Sequence, residues 1–166
     1  MNYWTLIYTI LFAIYVLIGL IFSYVMLFYK AQMLKHKKSS RLLIANKNTA
    51  LGLAVNRLEE QGISVSFSKF DFENERINII NDNRQFYIEK LNEGFNEISK
   101  KTDLLKDDNS KKYIQDLLSA IEDSDDNYRR IVMAHNKIVK NYNYNAKSLV
   151  FAFFVALFNF ELKEEI

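Results

Sequence analysis

The stretch AHNKIVKNYNYN, residues 134–145, sets a ring followed by an amide twice: His135-Asn136 and Tyr142-Asn143, with Val139 between them. An imidazole can hold a metal or move a proton near neutral pH, and a carboxamide offers an acceptor beside a donor. The pairs are seven residues apart, two turns of a helix, so on a helix they share one face. A metal centre needs several converging ligands. His135 has Ile131, Val132, Ile138 and Val139 as its neighbours at three and four, and none of these can ligate or act as a base. The only other histidine, His36, lies in a basic run far away in sequence. His135 therefore reads as a packed core residue. Each Asn follows its ring by about 100° around the helix, at the edge of the apolar seam. There an amide can bond a neighbouring helix or stand in water.

Other chemistry is hard to find. The carboxylates come as adjacent runs, Glu59-Glu60, EDSDD at 122–126 and KEE at 163–165. Neighbours on a helix do not face each other, so these read as solvated faces rather than acid–base couples. The chain has no Cys, which removes disulfides and a thiol nucleophile. Neither a Gly-rich phosphate loop nor a nucleophile elbow is present. Basic residues after 42 are balanced by acids and the net charge is +2, which disfavours nucleic acid. The expectation is a non-enzymatic protein with no catalytic residue, no metal and no cofactor.

What positions the echoed pairs begins with the N-terminus. Residues 1–29 carry no Asp, Glu, Lys, Arg or His, and from Tyr3 to Tyr29 nearly every side chain is apolar or aromatic. About 20 apolar residues span the hydrocarbon layer, and in lipid the backbone must satisfy itself as a helix. Tyr3 and Trp4 at one end and Tyr29 at the other suit the headgroup layers. A cleaved signal would have a basic start and a shorter core. Lys30, Lys35, Lys37, Lys38 and Arg41 come next with no acid among them, which places that side in the cytoplasm and the N-terminus outside. The same cluster can attract anionic lipid. The division is an anchor at 1–29, a basic flank at 30–41 and a cytoplasmic domain at 42–166.

The fold class expected is mainly α: one transmembrane helix, then an antiparallel bundle of long helices. The chain has no proline, and nothing between Lys30 and Leu51 breaks a helix, so the membrane helix can continue into the cytoplasm. Leu43, Leu51, Ala54, Val55 and Leu58 trace one apolar face. ISVSFSKF at 63–70 and RINII at 76–80 alternate with period two, so 63–80 reads locally as a short β-hairpin; no Gly or Pro marks its turn, which leaves a helical or irregular segment open. DNRQ at 82–85 fits a capping box, and Tyr87, Ile88, Leu91, Phe95 and Ile98 come after it at helical spacing. KDDNSKK at 106–112 reads as a turn, with the last helix starting near Ser110. Its seam runs in sevens through Ile114, Ile121, Tyr128, His135, Tyr142 and Leu149, with Leu117, Ile131 and Ile138 beside it. SLVFAFFVALFNF, 148–160, is apolar all round and too short to cross a bilayer as a helix. It reads as a buried helix, an interfacial segment or a partner-binding helix.

The echoed pairs, with Asp125 and Tyr128 before them and FVALFNFE at 154–161 after them, resemble the LemA family of bacterial membrane-anchored proteins. That family carries Tyr-Asn-x-x-Val-x-x-Tyr-Asn late in its last long helix. Here His135-Asn136, Val139 and Tyr142-Asn143 match it, with His for the first Tyr. It then ends in a Phe-rich tail, where Asn159 stands in place of the usual Gly. The resemblance covers roughly 112–161, and Gln61, Ile63, Val65, Phe67, Lys69, Asp71 and Phe72 echo an earlier family stretch loosely. It implies a helical interaction platform at the inner face of a bacterial membrane, with no activity attached. Its partners would be the lipid bilayer and an unidentified protein, of the envelope or a second copy. The rival reading is a lipid-engaging effector that uses the basic flank and the apolar tail.

Overall fold

The computed structural model describes residues 2–67 and 84–166. The protein is mainly helical, with no strand among the described residues. Among the described residues four helices appear in chain order: α1 (Tyr3–Glu60), α2 (Arg84–Thr102), α3 (Asp108–Ala146) and α4 (Ala152–Leu157). α1 runs 58 residues without a break, as the absence of breakers predicts, and its first half is long and apolar enough to cross a membrane. Of the 63–80 segment only 63–67 is described, and it is irregular; the rest of it and the start of the 82–85 capping pattern lie outside the described residues.

Helix ends follow from local chemistry. α1 ends at Glu60 and is closed by Gly62, whose φ of 76° is open to a residue without Cβ. There the Gly62 N–H bonds the Glu59 carbonyl and the Ile63 N–H bonds the Leu58 carbonyl, a Schellman closure. Leu58 and Ile63 then meet in the same core, the apolar contact that accompanies this motif. α3 begins earlier than the sequence suggests. Asp107 caps it by accepting from the Ser110 N–H at 3.0 Å and from the Ser110 hydroxyl. Those bonds favour the charged carboxylate and hold its pKa below the ordinary value. The turn is therefore confined to 103–107.

The chain forms two compact units. One comprises residues 38–131, the other 1–37 together with 132–166. In the 38–131 unit, Ile44, Leu51, Ala54, Val55 and Leu58 of α1 meet Tyr87, Leu91 and Ile98 of α2 and Ile114, Leu118 and Ile121 of α3. Leu105, from the connection, closes the core. Within that apolar face Lys47 is buried, its ammonium 2.6 Å from Asp125 and 2.7 Å from the Asn92 side-chain oxygen. The same ammonium lies 5.8 Å from the centre of the Phe95 ring. A cation withdrawn from water requires such partners. Segment 63–67 is stapled to α2: Glu97 accepts from the Ser66 and Phe67 amides at 2.7 and 3.1 Å, and Lys101 bridges Glu97 and the Ser64 carbonyl at 2.6 Å each. The Phe67 ring fills the space a side chain at Gly94 would need.

Candidate functional site: the paired amides and the segment they hold

The echoed pairs fall in the unit formed by 1–37 and 132–166. His135, Val139 and Tyr142 point inward as their spacing requires, and all three are buried. Val139 and Tyr142 pack with Met26, Met33 and Phe160. The His135 ring lies 6.4 Å from that of His36 on α1. Among the described residues no group of three or more His, Cys, Asp or Glu converges as a metal site would need. Burial beside Glu161 pushes the Tyr142 phenol above its usual value, burial being the larger cause. Its hydroxyl has no hydrogen-bond partner among the described residues.

The two amides do something the sequence does not reveal. Asn143 donates to the Lys163 carbonyl at 2.7 Å and accepts from the Lys163 N–H at 2.8 Å. Asn136 does the same to Ile166, donating to its backbone oxygen at 3.1 Å and accepting from its N–H at 2.9 Å. Each carboxamide thus pairs with one residue's backbone as a second backbone would. The partner is neither a neighbouring helix nor water but the non-helical segment 161–166. Helical and extended geometry explain the spacing. Seven residues of α-helix rise about 10.5 Å. Three residues of an extended chain with threefold twist advance about 9 Å and return the backbone to the same side. Residues seven apart on α3 can therefore hold residues three apart on an antiparallel extended segment. The bonds involve only the backbone of Lys163 and Ile166; the side-chain contacts Lys140–Glu165 and Lys163–Glu161, at 3.8 and 3.9 Å, are exposed and weak.

The segment reaches α3 through a sharp return. Asn159 has φ 49°, a left-handed conformation that Asn tolerates better than most residues. The Asn159 N–H bonds the Ala156 carbonyl and the Phe160 N–H bonds the Val155 carbonyl, a second Schellman closure, now at the end of α4. Phe160 is thereby turned into the core, edge-on to Tyr142 and Phe22 at 6.4 Å each. Lys30 reaches the Asn159 carbonyl at 3.5 Å and lies over the Phe160 ring, 4.9 Å from its centre.

The other residues singled out in the sequence are placed as follows. Tyr3 and Trp4 are exposed with their rings edge to face, 6.2 Å apart. Tyr29 and Lys30 are half-buried, Lys35, Lys37 and Lys38 are exposed, and Arg41 is half-buried. Leu149, expected to extend the α3 seam, instead stands 91% exposed, because α3 ends at Ala146 before the seam reaches it. Sequence reasoning missed the Lys30 contact and the buried Lys47. The signal for Lys47 was present: it sits between Ile44 and Leu51, on the apolar face, at three and four. In comparison with known proteins, the chain matches no family model, no curated protein and no solved structure.

Proposed function

We propose that the protein is a non-enzymatic, LemA-like membrane protein, anchored by Tyr3–Tyr29, whose cytoplasmic antiparallel bundle serves as an interaction platform. The observation that carries this reading is the use made of the echoed residues. The side chains with the most chemical potential are committed to structure: His135 and Tyr142 to the core, Asn136 and Asn143 to the chain's own backbone. A bacterial inner membrane, with the N-terminus outside, follows from the family resemblance and from the cations after Tyr29. The platform would engage an envelope protein or a second copy, and the tail held by the two amides would be part of its surface.

Crosslinking in native membranes, followed by purification of the full chain, tests this. The wild type should retain a discrete set of partners that the Asn136→Ala/Asn143→Ala double variant loses. Identical partner sets in both forms would remove the amides from the interaction surface. Lipids without specific proteins in both forms would favour the rival reading, a lipid-engaging effector. One feature already supports that rival, the exposed apolar side of the tail around α4.

A further inference from the structure

We infer that residues 148–160 form a second, half-depth membrane insertion beside the anchor, with the acyl chains of the leaflet nearer Lys30 covering its outer face. The inference rests on Tyr3–Tyr29 being the membrane span. Between Lys147 and Glu161 no charged residue occurs. One side of this stretch is seated on α1. Phe154 is buried and its ring occupies the space a side chain at Gly19 would need. Phe151 stacks on Phe22 with ring centres 4.4 Å apart, and the Tyr15 hydroxyl donates to the Val150 carbonyl at 3.0 Å.

The contacts fix the depth. α1 rises about 1.5 Å per residue, so residues 15–22 lie roughly 12–23 Å along the helix from Lys30. The apolar run Tyr3–Tyr29 is longer than the hydrocarbon layer of about 30 Å. Whether that layer is centred on the run or pushed to its N-terminal end, residues 15–22 fall inside it. The other side of the insertion is bare and apolar: Leu149, Phe153 and Leu157 are 91%, 62% and 62% exposed. Leu17 and Ile21 of α1, within the stretch the insertion contacts, are exposed too.

Part of the backbone at the two ends of α4 is paired, as a lipid environment favours, although its N-terminus has no side-chain cap. The turn into α4 bonds internally from the Ala152 N–H to the Leu149 carbonyl. The turn out bonds from Asn159 and Phe160 to Ala156 and Val155, and the Val150 carbonyl is met by Tyr15, a hydroxyl supplied from the span. Lys147 at the entrance can extend its ammonium back to the headgroups.

Single-tryptophan fluorescence of the full chain in phosphatidylcholine–phosphatidylglycerol vesicles tests this. In a Trp4→Phe background, Phe153→Trp and Leu157→Trp report on the tail and Phe12→Trp on the span, all at exposed positions. The tail tryptophans should lose most of their emission to lipids brominated along the acyl chain and little to aqueous iodide. Quenching by iodide alone would overturn the inference by placing the tail in water. Quenching by neither would overturn it by showing a protein cover, such as a second copy. If the tail fails while Phe12→Trp is quenched by bromine, only the insertion is wrong. If Phe12→Trp also escapes bromine, the membrane reading itself has failed.

Discussion

At the scale of residues, one amide doing the work of a peptide group explains the repeated ring and Asn. A ring must face in to fill the seam, and the next residue then stands at the seam's edge, where a backbone can reach it. Removing one amide should release one residue of the held segment. Asn143→Ala should speed hydrogen exchange at the Lys163 amide and Asn136→Ala at Ile166, each several-fold, since a hydrogen bond is worth about 1 kcal/mol net. Asn143→Asp should do worse than Ala, because it sets a carboxylate against the Lys163 carbonyl oxygen now held at 2.7 Å. Tyr142 offers the opposite case. Its buried hydroxyl has no partner among the described residues, so Tyr142→Phe should leave thermal stability unchanged or raise it in detergent-solubilised full chain. A loss of more than about 1 kcal/mol would mean that the hydroxyl is satisfied.

At the scale of elements, the 38–131 unit rests on a buried ion and a stapled loop. Lys47 on α1 meets Asn92 on α2 and Asp125 on α3, so one cation fixes the register of three helices. Breaking such a pair from one side leaves a charge stranded. Asp125→Ala should destabilise by about 2 kcal/mol, below the figure for a fully buried pair because Asp125 is partly exposed. Lys47→Met together with Asp125→Ala should recover much of that loss, read from denaturation of both variants. The loop held by Glu97 carries a pH dependence. The Lys101 ammonium first, then the Ser66 amide, keep its carboxyl below the ordinary value. A depressed folded pKa gives stability that is complete above the unfolded carboxylate range and is lost as pH falls through the folded value. The Ser66 and Phe67 amide resonances should therefore shift on acidification below the usual glutamate range, and Glu97→Gln should show the shifted positions at neutral pH.

At the scale of the whole molecule, helices were legible and the start of α3 was not. An unbroken α1, the periodic α2 and the seam of α3 follow from apolar spacing and from the absence of proline. The start of α3 at Asp108 was hidden because DDNS offers several capping side chains at once, and only the Asp107–Ser110 bonds choose between them. The inward rings of the candidate site were also legible. The target of its amides was not, because Lys163 and Ile166 are held through their backbones, which leave no signature in side-chain type. Apolar composition likewise could not say that the tail has one seated face and one bare face, since Phe154 and Phe153 are the same residue.

The central claim of the proposed function is that Tyr3–Tyr29 crosses a membrane, with residues 42–147 and 161–166 on its cytoplasmic side. The chain has no Cys, so single cysteines can report topology without background. Asn2→Cys and Glu164→Cys, both at exposed positions, should be treated in intact cells with a membrane-impermeant maleimide. A span in this direction predicts labelling of Asn2→Cys in intact cells and of Glu164→Cys only after lysis, with both forms in the membrane fraction. Labelling of Glu164→Cys in intact cells, or recovery of the chain from the soluble fraction, would contradict it.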